Sequence, residues 1–392
     1  GTGRAVEMGI GALPDDFDGD VVVISADVPL LDAATLSGLL AVHREAAAAA
    51  TLLSAIVDDA TGYGRIIREN DGSLSRIVEQ KDAADDELSI SEINSGTYVF
   101  GVAGLRKHLP LVGTDNSQGE KYLTDVVALL RQAGMPVAAV PVPDPWIVEG
   151  VNDRVQLAHT AARLNAMIVR GWQLAGVTVH DPGSTWIDLR ATLAEDVELL
   201  PNTHLSGATT IARGARIGPD TTLLDCEVGE DAVVKRTDAT LAVIGKGATV
   251  GPFAYLRPGT ELGDGGKIGT YVETKNAKIG AGAKVPHLSY IGDATIGEGT
   301  NIGAGAITAN YDDIDKHSTT IGAHVHTGTH NSFVAPVTIG DGAKIGAGTV
   351  VRRDVPPGAL AVSVAQLRIV EGWTERHRAG SAAAKAAADA QD

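Results

Sequence analysis

The segment IGAGAKVPHLSYIGDATIGEGTNIG, residues 279–303, decides the fold. Apolar residues recur in it at intervals of six, with one interval of five, and most are followed by glycine. The period of six extends over residues 244–268 and 321–351. Neither an amphipathic helix nor an ordinary strand produces this spacing. The pattern predicts a left-handed parallel β-helix of hexapeptide repeats, in which three hexapeptides close one triangular coil around inward-pointing apolar side chains.

The chain before this repeat has a different pattern. Between Asp20 and Val142, strand-like segments alternate with helical ones, which predicts an α/β domain with a mostly parallel, Rossmann-like sheet. Asn152 is a candidate cap of a linker helix that ends near Gly176. The final segment lacks large apolar residues and is predicted to be disordered. The α/β domain, linker helix, β-helix and tail are assigned to residues 1–150, 151–176, 177–373 and 374–392.

The hexapeptide repeat is interrupted once. Between Ile302 and Ile321 the stretch ANYDDIDKHSTT, residues 309–320, does not fit a coil. We expect it to leave the β-helix as a loop, and loops on rigid scaffolds often carry function.

The composition excludes some classes of partner. The 392 residues carry a formal net charge of −17, so long-range repulsion argues against a nucleic acid or an anionic membrane as partner. Cys226 is the single cysteine, which excludes an internal disulfide and a thiolate metal cluster. No apolar run reaches the roughly 18 residues of a membrane span, and no signal peptide is visible. These features predict a cytoplasmic protein.

One segment of the predicted β-helix is locally basic. It carries five cations against three acidic residues, the cations being Arg257, Lys267, Lys275, Lys278 and Lys284. Such a cluster is what a sugar phosphate or the phosphates of coenzyme A require, although for any single lysine a solvated face is the favoured interpretation. His287 follows the cluster, and its residue type alone does not decide between a structural and a catalytic role.

Residues 256–312 resemble the acetyltransferase domain of the GlmU family, bifunctional acyltransferases and nucleotidyltransferases that make UDP-N-acetylglucosamine, a cell-envelope precursor. The resemblance implies a homotrimer that transfers acetyl from acetyl-CoA to glucosamine 1-phosphate, with His287 as general base. An imidazole can accept the amine's proton near neutral pH. The implied sugar-phosphate residues are Arg257, Lys275, Tyr290, Asn301 and Lys316. Lys316 would reach a neighbouring subunit's site. The residues implied to line the acetyl-CoA groove between subunits are Ala304, Asn310, Tyr311, Thr329 and Ala347.

The amino-terminal half resembles the uridyltransferase domain of the same family in motifs such as ISADVPLL, GYGRI, IVEQKDA and GVNDR. The resemblance implies uridylyl transfer from UTP to N-acetylglucosamine 1-phosphate, with release of pyrophosphate. The implied nucleotide-binding residues are Gly1, Thr2, Ser25, Ala26, Asp27, Gly64, Glu79, Asn94 and Asn152. Asp27 and Asn152 would also bind Mg²⁺, which prefers hard oxygen ligands.

The sequence departs from the family pattern at three places. Nothing like the family's Gly-rich phosphate loop precedes Gly1, so we expect this chain to lack the start of its nucleotide domain and to be impaired in uridylyl transfer. Thr329 stands where the family often has serine, which keeps the hydroxyl. Val364 stands where many members have an arginine near the phosphates of coenzyme A.

Two other functions fit parts of the sequence. A zinc hydratase on a β-helix trimer would use neutral imidazoles as ligands, but it leaves the basic cluster unexplained. The histidines available to it are His317, His324, His326 and His330. A non-catalytic scaffold is compatible with an amino-terminal half without its phosphate loop, but not with the nearly complete acetyltransferase set.

Overall fold

The computed structural model describes residues 1–363 and 367–390. Val364, expected to affect coenzyme A binding, lies outside these residues. The chain forms two compact units, Gly1–Leu164 and Asn165–Asp392, so the division falls inside one helix. Among the described residues, none of the helices combines the length and apolarity that a membrane crossing requires.

The first unit contains a sheet with helices on both faces. Its helices and strands are α1 Thr2–Ile10, β1 Asp20–Val23, α2 Ala33–Glu45, β2 Ala50–Ile56, β3 Arg65–Arg68, β4 Leu74–Val78, α3 Asp85–Leu88, β5 Glu92–Gly101, α4 Val102–His108, α5 Thr124–Gln132 and β6 Val137–Pro141. Neighbouring residues of β2 pack into different hydrophobic clusters. Leu52 packs with α4 and α5, whereas Leu53 packs with α2. This alternation is that of a strand buried on both faces.

The sheet is mixed, which corrects the expectation of a mostly parallel one. β5 pairs antiparallel with β1, β2 and β3, and β3 pairs antiparallel with β4. β2 and β6 form the parallel pair. The strands that run opposite to the others are β4, which a short connection joins to β3 as an antiparallel hairpin, and β5, which lies between β2 and β3. The predicted strands and helices around this hairpin are present as β1, β2, β5, α2 and α5.

Helix α6, Arg154–Leu174, belongs to both units. The carboxylate of Asp153 accepts hydrogen bonds from the backbone N–H groups of Val155 and Gln156, both at 2.8 Å. Asp153 is therefore the cap, and the expected cap, Asn152, lies one residue earlier. The second half of α6 packs on the start of the β-helix, where the side chain of Asn165 bonds to two backbone groups.

The second unit is a parallel β-helix of short strands. They are β7 Thr178–Val179, β8 Trp186–Ile187, β9 Thr192–Leu193, β10 Glu198–Leu199, β11 Thr203–Ser206, β12 Thr210–Ile211, β13 Arg216–Ile217, β14 Thr221–Leu224, β15 Glu227–Val228, β16 Val233–Val234, β17 Thr237–Thr240, β18 Val243–Ile244, β19 Thr249–Val250, β20 Ala254–Leu256, β21 Glu261–Leu262, β22 Lys267–Thr270, β23 Glu273–Ile279, β24 Lys284–His287, β25 Tyr290–Ile296, β26 Ile307–Ala309, β27 Thr319–Ile321, β28 His326–Thr327, β29 Ser332–Val334, β30 Val337–Ile339, β31 Lys344–Ile345, β32 Val350–Val351 and β33 Leu360–Ala361.

Equivalent apolar residues stack from coil to coil in the β-helix. Leu199, Ile217, Val234 and Val250 pair in sequence through parallel strands, and all four are buried. The inward apolar position predicted from the period of six is thus confirmed. The corners of the coils hold residues with positive φ, a conformation that glycine adopts without strain. Aspartate, asparagine and a few larger residues take the same conformation elsewhere along these corners.

The predicted loop does leave the coil. Ile279 pairs with Ile296, 17 positions on, whereas Ile296 pairs with Ile321, 25 positions on. The extra residues fold back on themselves because the carboxylate of Asp312 accepts hydrogen bonds from the backbone N–H groups of Ile314 and Asp315.

The tail has more structure than its composition predicts. Two helices, α7 Trp373–His377 and α8 Ala382–Asp389, lie in the segment expected to be disordered, so that prediction is wrong there. Ser381 caps α8 by accepting a hydrogen bond from the N–H of Ala384, and alanine has the highest intrinsic helix propensity. Residues 391–392 lie outside the described part of the chain.

Candidate active sites

Arg257 and Tyr290 lie together on one face of the β-helix. The guanidinium of Arg257 donates a hydrogen bond to the carboxylate of Glu273 at 3.0 Å, which raises the pKa of Arg257. Glu273 pairs with Tyr290 in the next coil. Strand pairing on successive coils therefore brings two of the predicted sugar-phosphate residues into one surface.

Lys275 joins this surface through Gly292. Lys275 pairs with Gly292, one coil further along. The hydroxyl of Tyr290 lies so close to Gly292 that any side chain there would overlap it. The missing side chain thus leaves room for the phenol to lie over the glycine, beside the coil that carries Lys275.

Lys316 reaches the same surface from the extruded loop. The nearby ammonium of Lys275 lowers the pKa of Lys316, since two like charges disfavour each other's protonation. The loop was expected to carry Lys316 to a neighbouring subunit. Within this chain Lys316 lies beside Lys275, and the backbone of Tyr311 pairs with that of Lys316. The contact of Lys316 with a neighbouring subunit stays a prediction. Two adjacent ammonium groups form a site suited to a dianion.

Three Asx residues, which the sequence analysis did not identify as a group, stand beside the two lysines. Asn276, Asp293 and Asn310 are each 17 positions apart, which is one coil. The carboxylate of Asp293 accepts hydrogen bonds from the amide of Asn276, at 2.9 Å, and from the amide of Asn310. Their common spacing in the sequence is the signal that could have found them.

The half-buried position of Asp293 matters to its ionisation. Burial by itself opposes ionisation of this carboxyl. The hydrogen bonds from Asn276 and Asn310, with the charges of Lys275 and Lys316, outweigh this effect and lower the pKa of Asp293. The lysine pair therefore has one ionised carboxylate of its own.

His287 begins a column of residues at a corner of the coils. The column continues through Ala304, Thr329 and Ala347. The carbonyls of His287, Ala304 and Thr329 accept hydrogen bonds from the N–H groups of Gly305, His330 and Gly348, each of which directly follows the next member of the column. His287, Thr329 and Ala347 are exposed, and Ala304 is half-buried. The predicted base and three predicted acetyl-CoA residues thus form one line along the β-helix.

The remaining predicted residues lie apart from this cluster. Asn301 is on another face, in register with Lys284 and His326, and its amide is 3.4 Å from Nδ1 of His326. Tyr311 is 60% exposed and donates a hydrogen bond from its hydroxyl to the carbonyl of Asp313 at 2.7 Å.

One of the histidines available to a zinc site is engaged by a carboxylate. His317 pairs with the carboxylate of Asp312 at 2.7 Å. Within the described ranges, no group of three or more histidine, cysteine, aspartate or glutamate side chains is placed to hold a metal ion.

The first unit brings several predicted nucleotide-binding residues to one cavity of about 190 Å³. Its walls include Thr2, Ser25, Glu79 and Asn94, together with Gly96, Tyr98 and Thr124, which were not predicted. Gly64 borders the same place, since its carbonyl accepts a hydrogen bond from the N–H of Asn94 at 2.9 Å. Gly1 does not line the cavity, and Ala26 lies in the exposed turn after β1.

Glu79 is the acidic group of this cavity. Burial raises the pKa of Glu79, and the hydroxyl of Thr124, 3.2 Å from the carboxylate, offsets part of that effect. The amide of Asn94 donates to the hydroxyl of Tyr98 at 2.7 Å, which leaves its carbonyl oxygen beside the N–H of Gly96.

The two predicted Mg²⁺ ligands lie on neighbouring segments. The carbonyl of Asp27 accepts a hydrogen bond from the N–H of Val151 at 2.9 Å, next to Asn152. Both side chains are exposed, and the hydrogen bonds of the described residues leave the Asp27 carboxylate and the Asn152 amide unengaged. A carboxylate and an amide oxygen are hard donors that suit magnesium.

Comparison with known proteins gives a match over the whole chain. The Bifunctional protein GlmU of Clavibacter sepedonicus is 62% identical over 392 residues, which cover 100% of this chain and 80% of that protein. The GlmU of Leifsonia xyli subsp. xyli is 64% identical over 387 residues, 99% of this chain and 80% of its own length. The chain belongs to the GlmU family.

Two family models match parts of the chain. A nucleotidyl transferase model covers residues 1–173, and a bacterial transferase hexapeptide model covers residues 318–353. The predicted GlmU family, fold class and bifunctional enzyme class are thereby confirmed, and the two predicted activities are those of this family. The solved structure of LpxA from Acinetobacter baumannii covers 52% of this chain and 78% of its own at 19% identity, but its TM-score of 0.24 is too low to support an argument.

Proposed function

We propose that the β-helix unit transfers the acetyl group of acetyl-CoA to glucosamine 1-phosphate at the surface formed by Arg257, Lys275, Tyr290 and Lys316. The observation that carries this proposal is that Arg257, Lys275 and Tyr290 lie on successive coils of one face, with Lys316 of the extruded loop beside Lys275. A phosphate dianion neutralises both lysines, and the guanidinium of Arg257 extends the same cationic surface.

His287 is the proposed general base. The amine of the bound sugar loses its proton to the imidazole and attacks the thioester carbon, so a C–N bond forms as the C–S bond breaks. The proton then passes to the departing thiolate of coenzyme A. Backbone N–H groups near Asn310 are the proposed donors to the carbonyl oxygen in the transition state.

The column that begins at His287 is the proposed acetyl-CoA groove. Three coil steps separate His287 from Ala347, and at about 4.8 Å a step they span roughly 14 Å. The column residues are small beyond His287, so an extended thioester can lie along them with its acetyl group at the imidazole. We propose that a second and third copy of the chain complete the groove over the exposed Tyr311, as a homotrimer, and that the enzyme is cytoplasmic.

For the first unit we propose uridylyl transfer from UTP to N-acetylglucosamine 1-phosphate. The cavity of Thr2, Ser25, Glu79 and Asn94 is the proposed nucleotide and sugar site. Asp27 and Asn152 are the proposed ligands of Mg²⁺, which supplies charge neutralisation at the phosphates when it is bound. The exposed side-chain oxygens of both residues support this assignment.

The first experiment follows thiol release from acetyl-CoA, with and without glucosamine 1-phosphate, for the protein and for His287→Ala. We expect sugar-dependent release that the substitution abolishes. Absence of release from folded protein would favour a scaffold. Chelation of divalent ions tests the second proposal separately, since whatever pyrophosphate this chain releases from UTP should depend on those ions, while thiol release should not.

A further inference from the structure

We propose that Asp293 is a positioning residue of the acetyl-transfer site, which holds Lys316 beside Lys275 by anchoring the extruded loop at Asn310. This inference rests on the proposed acetyl transfer. No role was predicted for Asp293 from the sequence, and it is not itself placed to react.

Asp293 anchors the extruded loop at Asn310. Asn310 is the last residue before the loop departs from its coil, and its amide donates to the carboxylate of Asp293. At the far end of the loop, the N–H of His317 donates to the carbonyl of Asn310 at 2.9 Å. Asn310 therefore bonds both to Asp293 and to the far end of the loop. These two contacts determine the position of Lys316, which lies between them in the sequence.

The charge of Asp293 acts on both lysines. Asp293 lies within Coulombic range of both Lys275 and Lys316, and its attraction opposes their mutual repulsion. Substrate phosphate supplies the same compensation only when it is bound. In the free enzyme, the carboxylate keeps the two ammonium groups near each other, so the phosphate meets a preformed pair.

Two hydrogen bonds orient the carboxylate of Asp293. One oxygen of Asp293 accepts from Asn276 at 2.9 Å and the other accepts from Asn310, so the carboxylate is fixed in the plane of these two bonds. Its backbone has a φ of 48°, as corner residues of other coils do. If Asp293 served only to form the corner of the coil, it would need this backbone conformation but not a negative charge.

Asp225 provides a matched control for a corner role. It occupies the same corner in an earlier coil, has a φ of 51°, and its carboxylate accepts a hydrogen bond from the N–H of Ala208 at 2.8 Å. Asp225→Asn therefore tests the corner, and Asp293→Asn tests the corner together with the anchor and the charge.

The experiment measures KM for glucosamine 1-phosphate and for acetyl-CoA in the full chain and in both variants. Because the charge and one of the two accepting oxygens are lost, we expect Asp293→Asn to raise KM for the sugar phosphate about 10-fold or more, and by a larger factor than KM for acetyl-CoA. Asp225→Asn should leave both constants unchanged. An unchanged sugar KM in Asp293→Asn, or an equal rise in Asp225→Asn, overturns the inference.

A second measurement does not depend on turnover. Lysine acetylation by acetic anhydride, followed by mass spectrometry, reports how inorganic phosphate protects Lys275 and Lys316. Asp293→Asn should need about 10-fold more phosphate for the same protection, and equal protection overturns the inference. If wild-type protein shows no sugar-dependent thiol release, acetyl transfer itself fails, while the labelling still decides whether Asp293 organises the lysine pair. Asn276→Ala, which removes one of the two hydrogen bonds, should shift protection in the same direction to a smaller extent.

Discussion

Replacing Gly292 with alanine places a methyl group where the phenol of Tyr290 now lies. The new Cβ would overlap the hydroxyl and lie 2.6 Å from Cζ and 2.8 Å from Cε1 of the ring. Ordinary contacts begin near 3.4 Å, so the ring must move by about 0.8 Å. Gly292 does not have a positive φ, so alanine adds no backbone strain. The substitution therefore displaces Tyr290 without disturbing the coil.

The displacement should affect the sugar step in particular. Misplacement of a binding group by about 1 Å can cost about 100-fold in rate, so we expect kcat/KM for glucosamine 1-phosphate to fall about 10- to 100-fold. That range corresponds to about 1.4 to 2.7 kcal/mol of transition-state stabilisation. The unfolding midpoint should change little, because the displaced atoms are the far end of a side chain.

Thiol release measured against sugar concentration, together with thermal unfolding, checks this prediction. Gly183→Ala is the control, since a Cβ there meets one side-chain oxygen at 3.5 Å and nothing closer. In a Tyr290→Ala background, Gly292→Ala should have no further effect. Retention of wild-type kcat/KM by Gly292→Ala would refute the assignment of Tyr290 to the sugar, and an equal loss in the Tyr290→Ala background would refute the steric reasoning.

Three further predictions concern the loop, the buried acid and the core. Asp312→Ala should accelerate hydrogen exchange at the backbone N–H groups of Ile314 and Asp315, equally at about pH 5 and pH 8, because hydrogen bonds hold the pKa of Asp312 at about 2 and it is ionised at both. Glu79→Gln should stabilise the first unit in denaturant unfolding at about pH 8 but not at about pH 4. The raised pKa of Glu79 means that its stability contribution is complete below the ordinary value and is lost as pH rises through the folded-state value. Phe333→Ala, at a fully buried side chain, should cost about 3 to 5 kcal/mol in the same assay, and a loss under about 1 kcal/mol would contradict its place in the core.

The β-helix could be predicted because its information is local and repeated. Each coil contains the same pattern, an apolar residue followed by a small one. The pattern recurs throughout residues 244–351, and each repeat adds support for the same fold. The loop at residues 309–320 was predictable as a break in that rule. The direction of the strands in the first unit was not, because pairing between β5 and its neighbours joins residues far apart in sequence.

The candidate sites were partly predictable for the same reason. Arg257, Lys275 and Tyr290 could be selected from a motif, and the structure brings them to one surface. The contacts of Asp293 depend on residues one coil before and one coil after it, so its neighbours are visible only when the coil length is known. The position of Lys316 depends on how the loop folds back, which a residue type does not encode.

The length of the column of His287, Ala304, Thr329 and Ala347 is set by the number of coils that it crosses. Each coil adds about 4.8 Å along the axis, and the hydrogen bonds that join the coils are alike at each step. The coil between Thr329 and Ala347 carries none of the proposed sugar-phosphate residues, so its duplication would lengthen the line by one unit and leave the chemistry at His287 intact. An enzyme built in this way can change the length of its groove for the acyl donor through a single genetic event. The residues around His287, where the C–N bond forms, need not change.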